Sequence, residues 1–439
     1  MRIIVIGCFL MIILFLLPGC NRKNELLLNK NEVPHLLIKK LTDVIVVDIF
    51  TPPVASRIYA NCALAMYEAA RFDEKGYPSI SNKLNGFDSM PSPENGKEYD
   101  FTVASIQAFC ETAKKITFSA PEFKVYQDSM IEIYAKNLSE DTKANSILFG
   151  QQIADVVGKR LSTDNYKETR GMDRFDVKTD DIKRWVPTLP DYADALEPNW
   201  FKMKPFTLIA ADEVKVKPFP EYDEDASSAY YAELKEVYDI SKKLSDDQID
   251  IAIFWDDNPF VSRHKGHVMF QDKKMTPGGH WMAITRKACM DHHASYVASS
   301  KAYAYTSIGL YDAFISCWFE KYKSLRIRPQ TAIQRLLEPQ WTSYIQTPPF
   351  PEYTSGHSTT SASAAEMLTH LFGEGHSFTD SSELEYNLPI RSFKSFRDAA
   401  LEASVSRVYG GIHYRSGCDN GNKLGIEVAA LAIKRIEKN

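Results

Sequence analysis

The 439-residue sequence is 44% hydrophobic, 12% aromatic and 25% charged, with a formal charge of −5 at pH 7. Such a composition can bury a large core, as one big domain or two. It carries no basic stretch of the kind that tracks phosphate backbones, so nucleic acid is excluded as a partner. Beyond the extreme N-terminus no apolar run approaches the ~18 residues that span a bilayer, which counts against an integral membrane protein.

In chain order, Met1-Arg2 precedes an apolar run over residues 3–17 and then Pro18-Gly19-Cys20. This pattern reads as a lipoprotein signal over residues 1–19, with Cys20 as the acylated first mature residue and lipid anchor. Pro18 is a less usual neighbour for the Gly-Cys pair, and an ordinary signal anchor or cleaved secretory peptide is the competing reading. The expected location is the cell envelope, lipid-anchored and periplasmic or surface-exposed, with membrane contact only through the lipid. Cys62, Cys110, Cys289, Cys317 and Cys418 are an odd set that permits at most two disulfides in an oxidising compartment, and none has zinc-site spacing.

Apolar residues then recur three or four apart through long windows, with few alternating runs, so the chain is expected to be all-α. Ile58, Cys62, Ala65 and Ala69 form one such stripe. Proline at 187, 190, 198, 205, 218 and 220 excludes regular helix between about residues 185 and 225. That segment divides an N-terminal helical half, residues 20–220, from a C-terminal half, residues 221–439. The acidic run Tyr222-Asp223-Glu224-Asp225 reads as a solvated helix start.

In the C-terminal half, Ser307, Leu310, Phe314 and Trp318 make a stripe that runs into Lys321. Phe393, Phe396, Ala400, Ala403 and Arg407 repeat the device, so both cations leave the buried face of a helix. His264-x2-His267 and His292-His293 lack a third ligand at metal spacing, and are assigned ordinary surface or core roles.

Three short segments carry the chemistry: Lys321-x6-Arg328-Pro329, Thr354-Ser355-Gly356-His357 and Ser406-Arg407-x5-His413. Lys321, Arg328 and Arg407 can neutralise a tetrahedral oxyanion. The Ser355 hydroxyl and the N–H groups of Gly356 and His357, at a helix start, can donate to its oxygens. Two imidazoles, His357 and His413, remain for proton transfer and for direct bonding to the central atom.

With the flanks Trp318-Phe319-Glu320 and Pro348-Pro349-Phe350-Pro351-Glu352-Tyr353, these segments resemble the vanadium-dependent haloperoxidases. That family shares a superfamily with bacterial acid phosphatases and type 2 phosphatidic-acid phosphatases. The resemblance is strong over roughly residues 300–420 and diffuse elsewhere. It implies a large helical bundle in which Lys321, Arg328, Ser355, Gly356 and Arg407 hold vanadate. His413 would be the ligand to vanadium and His357 the proton carrier, while Trp318 and Phe350 would line the halide side. Hydrogen peroxide and halide are the implied substrates. The alternative is an acid phosphatase with no cofactor, acting on a phosphate ester through a phosphohistidine at His413; a third reading is a non-catalytic helical binding lipoprotein. A homo-oligomer is left open.

Two positions depart from the family pattern. Thr354 stands where Pro is common. Gly417 stands where an aspartate, four residues after the ligating histidine, would orient it; Asp419 is the nearest substitute.

Overall fold

The computed structural model describes residues 29–259, 261–265 and 268–438. The lipoprotein signal, Cys20 and His267 lie outside them. Among the described residues there are fourteen α-helices. The N-terminal half contains α1 (Val33–Val47), α2 (Pro52–Ala70), α3 (Phe101–Ile116), α4 (Ala120–Tyr134), α5 (Glu140–Leu161) and the short α6 (Tyr166–Arg170). After the proline-rich segment come α7 (Ala229–Ser241) and α8 (Asp246–Phe254), then an antiparallel hairpin, β1 (Val261–Lys265) with β2 (Val268–Asp272). The remainder is α9 (Pro277–Asp291), α10 (Tyr296–Ser324), α11 (Pro329–Leu336), α12 (Gly356–Phe372), a second hairpin of β3 (Phe378–Asp380) with β4 (Arg391–Phe393), α13 (Phe396–Tyr409) and α14 (Arg415–Ile436).

Helix starts follow local chemistry. Thr51 before Pro52-Pro53 caps α2, Ser295 caps α10, and Ser245 with Gln248 forms a reciprocal capping box on α8. The long helix α10 is buried on nearly every face, because it packs against α2 on one side and α9, α12 and α14 on the other. One apolar core therefore runs continuously from α1–α3 through α10 to α12–α14. On α14, Gly417, Gly421 and Gly425 lie along the face that meets α12, where a Cβ on Gly425 would sit 2.1 Å from the Thr359 carbonyl oxygen. Only glycine allows that approach, and α12 is the helix that begins at the candidate site.

The proline-rich segment is ordered by a carboxylate. Asp312, fully buried in α10, accepts from the N–H groups of Phe206 (2.7 Å) and Thr207 (2.7 Å) and from the Thr207 hydroxyl. Trp185 N–H donates to the Leu325 carbonyl (2.7 Å), so the same segment also braces the end of α10.

Some local expectations shift. Phe393 belongs to β4, and α13 begins only at Phe396, capped by Ser395. The acidic run at 222–225 is exposed coil, and α7 starts at Ala229 with Ser228 as cap, because the serine hydroxyl satisfies the first-turn N–H groups. The five cysteines of the described chain are all buried free thiols.

Candidate active site

Three chain reversals meet at one buried point: the end of α10 with the turn into α11, the loop entering α12, and the turn between α13 and α14. Lys321 occupies the last turns of α10 with no solvent exposure. Its Nζ donates to the carbonyls of Pro351 (2.9 Å) and Glu352 (3.1 Å). Burial, with Arg328 close by, pushes its pKa down to about 7.

Arg328, equally buried, precedes Pro329 at the start of α11. Its Nε donates to Phe350 O (2.8 Å) and its Nη1 to Ile412 O (2.7 Å), while Nη2 has no partner among the described residues. Arg407, in the last turn of α13, donates to the Ser406 hydroxyl and to the Trp255 and Asp256 carbonyls at the end of α8. No carboxylate oxygen comes within 4.0 Å of any of these three cations among the described residues. A buried unpaired charge costs roughly several kcal/mol, so three together are stable only where an anion is to be held.

The helix start supplies the donors. Ser355 is the N-cap of α12, and its Oγ accepts from Ser358 N–H (3.2 Å) and from the Ser358 hydroxyl (2.8 Å). Its own O–H is then free to donate outward. Gly356 and His357 are the first two helical residues, whose N–H groups have no intrahelical acceptor.

His413 is 2% exposed and fixed at both ring nitrogens. Its Nδ1–H donates to Glu352 Oε1 at 2.8 Å, and Nε2 lies 3.1 Å from Arg328 Nη1. Burial and the surrounding Arg328, Lys321 and Arg407 hold it well below the usual histidine range. The ring is thus neutral, with the Nε2 lone pair accepting from Arg328 Nη1–H, a contact that a bond to a central atom would replace.

His357 is also held well below the usual range, by burial and then by Arg407 and His413. Its Nε2 makes no hydrogen bond among the described residues and faces Asp257 Oδ2 at 3.7 Å.

Trp318 and Phe350 form one wall. Their rings lie 5.1 Å apart, and Phe350 stands between Lys321 Nζ (4.7 Å from the ring centre) and the Arg328 guanidinium (4.9 Å). A Cβ on Gly356 would be 3.7 Å from Trp318, so the indole borders the helix start. Every site residue expected from the sequence within the described chain is gathered here.

Asp419 is not. It is exposed on α14 and does not reach the imidazole. The orienting carboxylate is Glu352, a residue to which the sequence reading gave no role. Glu352 is fully buried; Oε1 accepts from His413 Nδ1–H and Tyr414 N–H, and Oε2 accepts from Arg326 Nη1 at 3.0 Å. Gly417 explains the exchange. A Cβ there would meet Glu352 Oε1 at 2.1 Å, so the glycine vacates the space that the glutamate, arriving from the opposite loop, fills. Sequence held only the missing aspartate as a signal, because the two positions are distant in the chain. Arg326, Glu233 on α7 and Asp257 were likewise not singled out; Arg326 Nη2 pairs with Glu233 at 2.8 Å and anchors Glu352 from behind. Of the other histidines noted in the sequence, His292 contacts His376 (3.1 Å) and His264 lies on β1.

The fold and site together define an all-helical enzyme class built around a buried oxyanion cage with a ligating and a proton-handling histidine. Residues 301–439 match the family described as the VCPO second helical-bundle domain. No curated protein matches the sequence. The structure is similar to a crystal structure of the first bacterial vanadium-dependent iodoperoxidase, with 41% identity, a TM-score of 0.87, and 92% of this chain and 96% of that one covered. It is also similar in fold to a holo-type bacterial vanadium-dependent chloroperoxidase (16% identity, TM-score 0.67, 89% and 93% covered) and to the apo type (16%, 0.66, 89% and 95%). The chain belongs to the vanadium-dependent haloperoxidase family.

Burial first, and then the neighbouring cations, hold Lys321 and His357 below their ordinary pKa, so an anion entering the cage raises both. Anion binding between pH 7 and 8 is therefore expected to take up protons, and affinity should fall as pH rises through the free-state pKa of Lys321. Calorimetry of phosphate binding in buffers of different ionisation enthalpy measures the uptake. Lys321→Met should reduce it.

Proposed function

We propose that this protein is a vanadate-dependent haloperoxidase that uses hydrogen peroxide to oxidise halide, with iodide as the preferred ion. The observation that carries the reading is the set of three buried cations without carboxylate partners, arranged around the Nε2 of His413. The 41% identity to an iodoperoxidase over nearly the whole chain supports the choice of halide.

The residues fit the group. Lys321, Arg328 and Arg407 would balance the charge of vanadate, the Ser355 hydroxyl and Gly356 N–H would donate to its oxygens, and His413 Nε2 would be its protein ligand. Bound vanadate supplies the Lewis-acidic centre that makes hydrogen peroxide electrophilic toward a halide. Glu352 keeps the His413 proton on Nδ1, so Nε2 stays available as a ligand. His357, neutral in the free protein, would take up a proton at Nε2 and give it back, with Asp257 beside it to favour the imidazolium once an anion has neutralised the cage. Trp318 and Phe350 keep one wall of the site apolar, which suits a large, weakly hydrated halide.

The test is an assay of purified protein with and without orthovanadate. Vanadate-dependent, peroxide-dependent oxidation of iodide, stronger than that of bromide, is the expected result. Hydrolysis of phosphate esters, inhibited rather than accompanied by vanadate-dependent oxidation, would instead make the protein an acid phosphatase working through the same histidines.

The envelope location rests on the Pro18-Gly19-Cys20 pattern. No helix among the described residues is long and apolar enough to cross a membrane. Cys20→Ser should abolish lipid labelling and release the protein from the membrane fraction; retention of that variant would point to an uncleaved anchor.

A further inference from the structure

Next to His357 lies a second buried cluster, of which the proposed reaction uses only the edge of Asp257 that faces His357. It is assembled from three separate elements: Asp257 just after α8, His280 in the first turn of α9, and Glu383 in the 3-10 turn Ser382–Tyr386 that follows β3. The Nδ1 of His280 is 3.1 Å from Asp257 Oδ1 and 3.7 Å from Glu383 Oε1. One donor atom from each residue lies within 4.8 Å of the other two. All three side chains are buried, His280 completely and Glu383 to 1% exposure.

We propose that Asp257, His280 and Glu383 bind a divalent transition-metal ion. The spacing approaches that of a coordination shell: with metal–donor distances of about 2.0–2.2 Å, adjacent donors stand roughly 3–3.5 Å apart, so Glu383 Oε1, 3.7 Å from His280 Nδ1, would draw inward on binding. The other ring nitrogen of His280, Nε2, is 2.9 Å from Asp380 Oδ2. That is the carboxylate–histidine–metal arrangement, in which the outer carboxylate fixes the ring and raises its basicity. The ring is further clamped by Trp255, stacked on it at 4.5 Å.

The independent observation is Glu383 Oε1. It is buried, points at His280 Nδ1, and accepts no hydrogen bond among the described residues. A buried carboxylate oxygen without a donor is costly, and a cation bridging it to Asp257 and His280 removes that cost. Local lysine and arginine do not serve: Lys274 Nζ points at Asp256 Oδ2 (3.5 Å), and Arg407 at the α8 carbonyls. One imidazole with two carboxylates suits zinc, manganese or iron better than calcium or magnesium, which prefer oxygen alone. The ion would tie the β3–β4 connection to α9 and to the end of α8. It would also fix Asp257, whose Oδ2 faces His357, from behind.

The inference does not depend on the haloperoxidase reading, and its test needs no vanadate. Full-length protein is treated with EDTA, desalted, and titrated with Zn2+ or Mn2+ alone while thermal unfolding is followed. The parent should be stabilised in proportion to one ion bound per chain by mass spectrometry of the metal. Glu383→Gln and His280→Gln should each lose that stabilisation, with metal affinity reduced at least tenfold. The partly exposed His292–His376 pair is intact in both variants, so a rise that persists in them marks adventitious surface binding and overturns the proposal. Crystals of the parent soaked in Mn2+ or Zn2+ decide the matter if the variants do not fold. Anomalous density among the three donor atoms supports the site. Its absence there means that His280 is instead an imidazolium held between Asp257 and Asp380, and the proposal fails.

Discussion

His413→Ala should abolish vanadate-dependent turnover at every pH and weaken anion binding, whereas His357→Ala should keep most anion binding and lose rate. The difference follows from what each ring touches. His413 Nε2 faces Arg328 and its Nδ1 is committed to Glu352, so its removal would delete the proposed protein ligand to the central atom. The Nε2 of His357 makes no hydrogen bond among the described residues, and the loss of this ring leaves Lys321, Arg328, Arg407 and Ser355 in place. A positioned proton carrier contributes ~10²–10⁴-fold, so the His357→Ala rate should drop by about that factor. Arg407→Ala should resemble the binding defect, because it removes a charge that no carboxylate compensates. Calorimetry with vanadate, and with phosphate as its near-isostere, separates the three variants without reference to activity. If His413→Ala binds either anion as tightly as the parent and turns over normally, the ligand assignment is wrong.

Glu352→Gln is expected to lower vanadate affinity by about 10–100-fold, the usual penalty for disturbing the partner that orients a ligating histidine. The amide still fills the space but carries no charge to favour the Nδ1–H tautomer, and it leaves Arg326 with only Glu233 as a counter-ion. Gly417→Ala should produce the same defect although residue 417 touches no ligand, since its Cβ would have to displace Glu352 Oε1 from 2.1 Å. The two effects should be strongly non-additive in the double variant, as expected for residues acting through one contact. Replacing both, as Glu352→Ala with Gly417→Asp, moves the carboxylate to the place where the family pattern has it and should restore part of the affinity. A purely structural role would show instead as a fall in thermal stability, with anion affinity unchanged in the protein that remains folded.

The sequence by itself determined the helical class, because periodicity, capping residues and proline placement act over a few residues and are read locally. Lys321 at the end of an apolar stripe and Arg407 at the end of another were legible as buried cations for the same reason. The three motif segments also announced an oxyanion site, since no ordinary surface combines those charges with a Ser-Gly-His helix start and a second histidine. Gly417 was visible only as a missing aspartate. That Glu352 takes its place, with Arg326 and Glu233 behind it, was decided by the packing of the loop before α12 against α14, where the absence of one Cβ and the reach of one longer side chain compensate each other across 65 residues of chain. The same holds for Asp257, His280 and Glu383, which no spacing connects. Short-range patterning writes elements and their buried faces into the sequence; which polar groups meet at their ends is a property of how those elements pack, because contacts between distant segments leave no periodic trace.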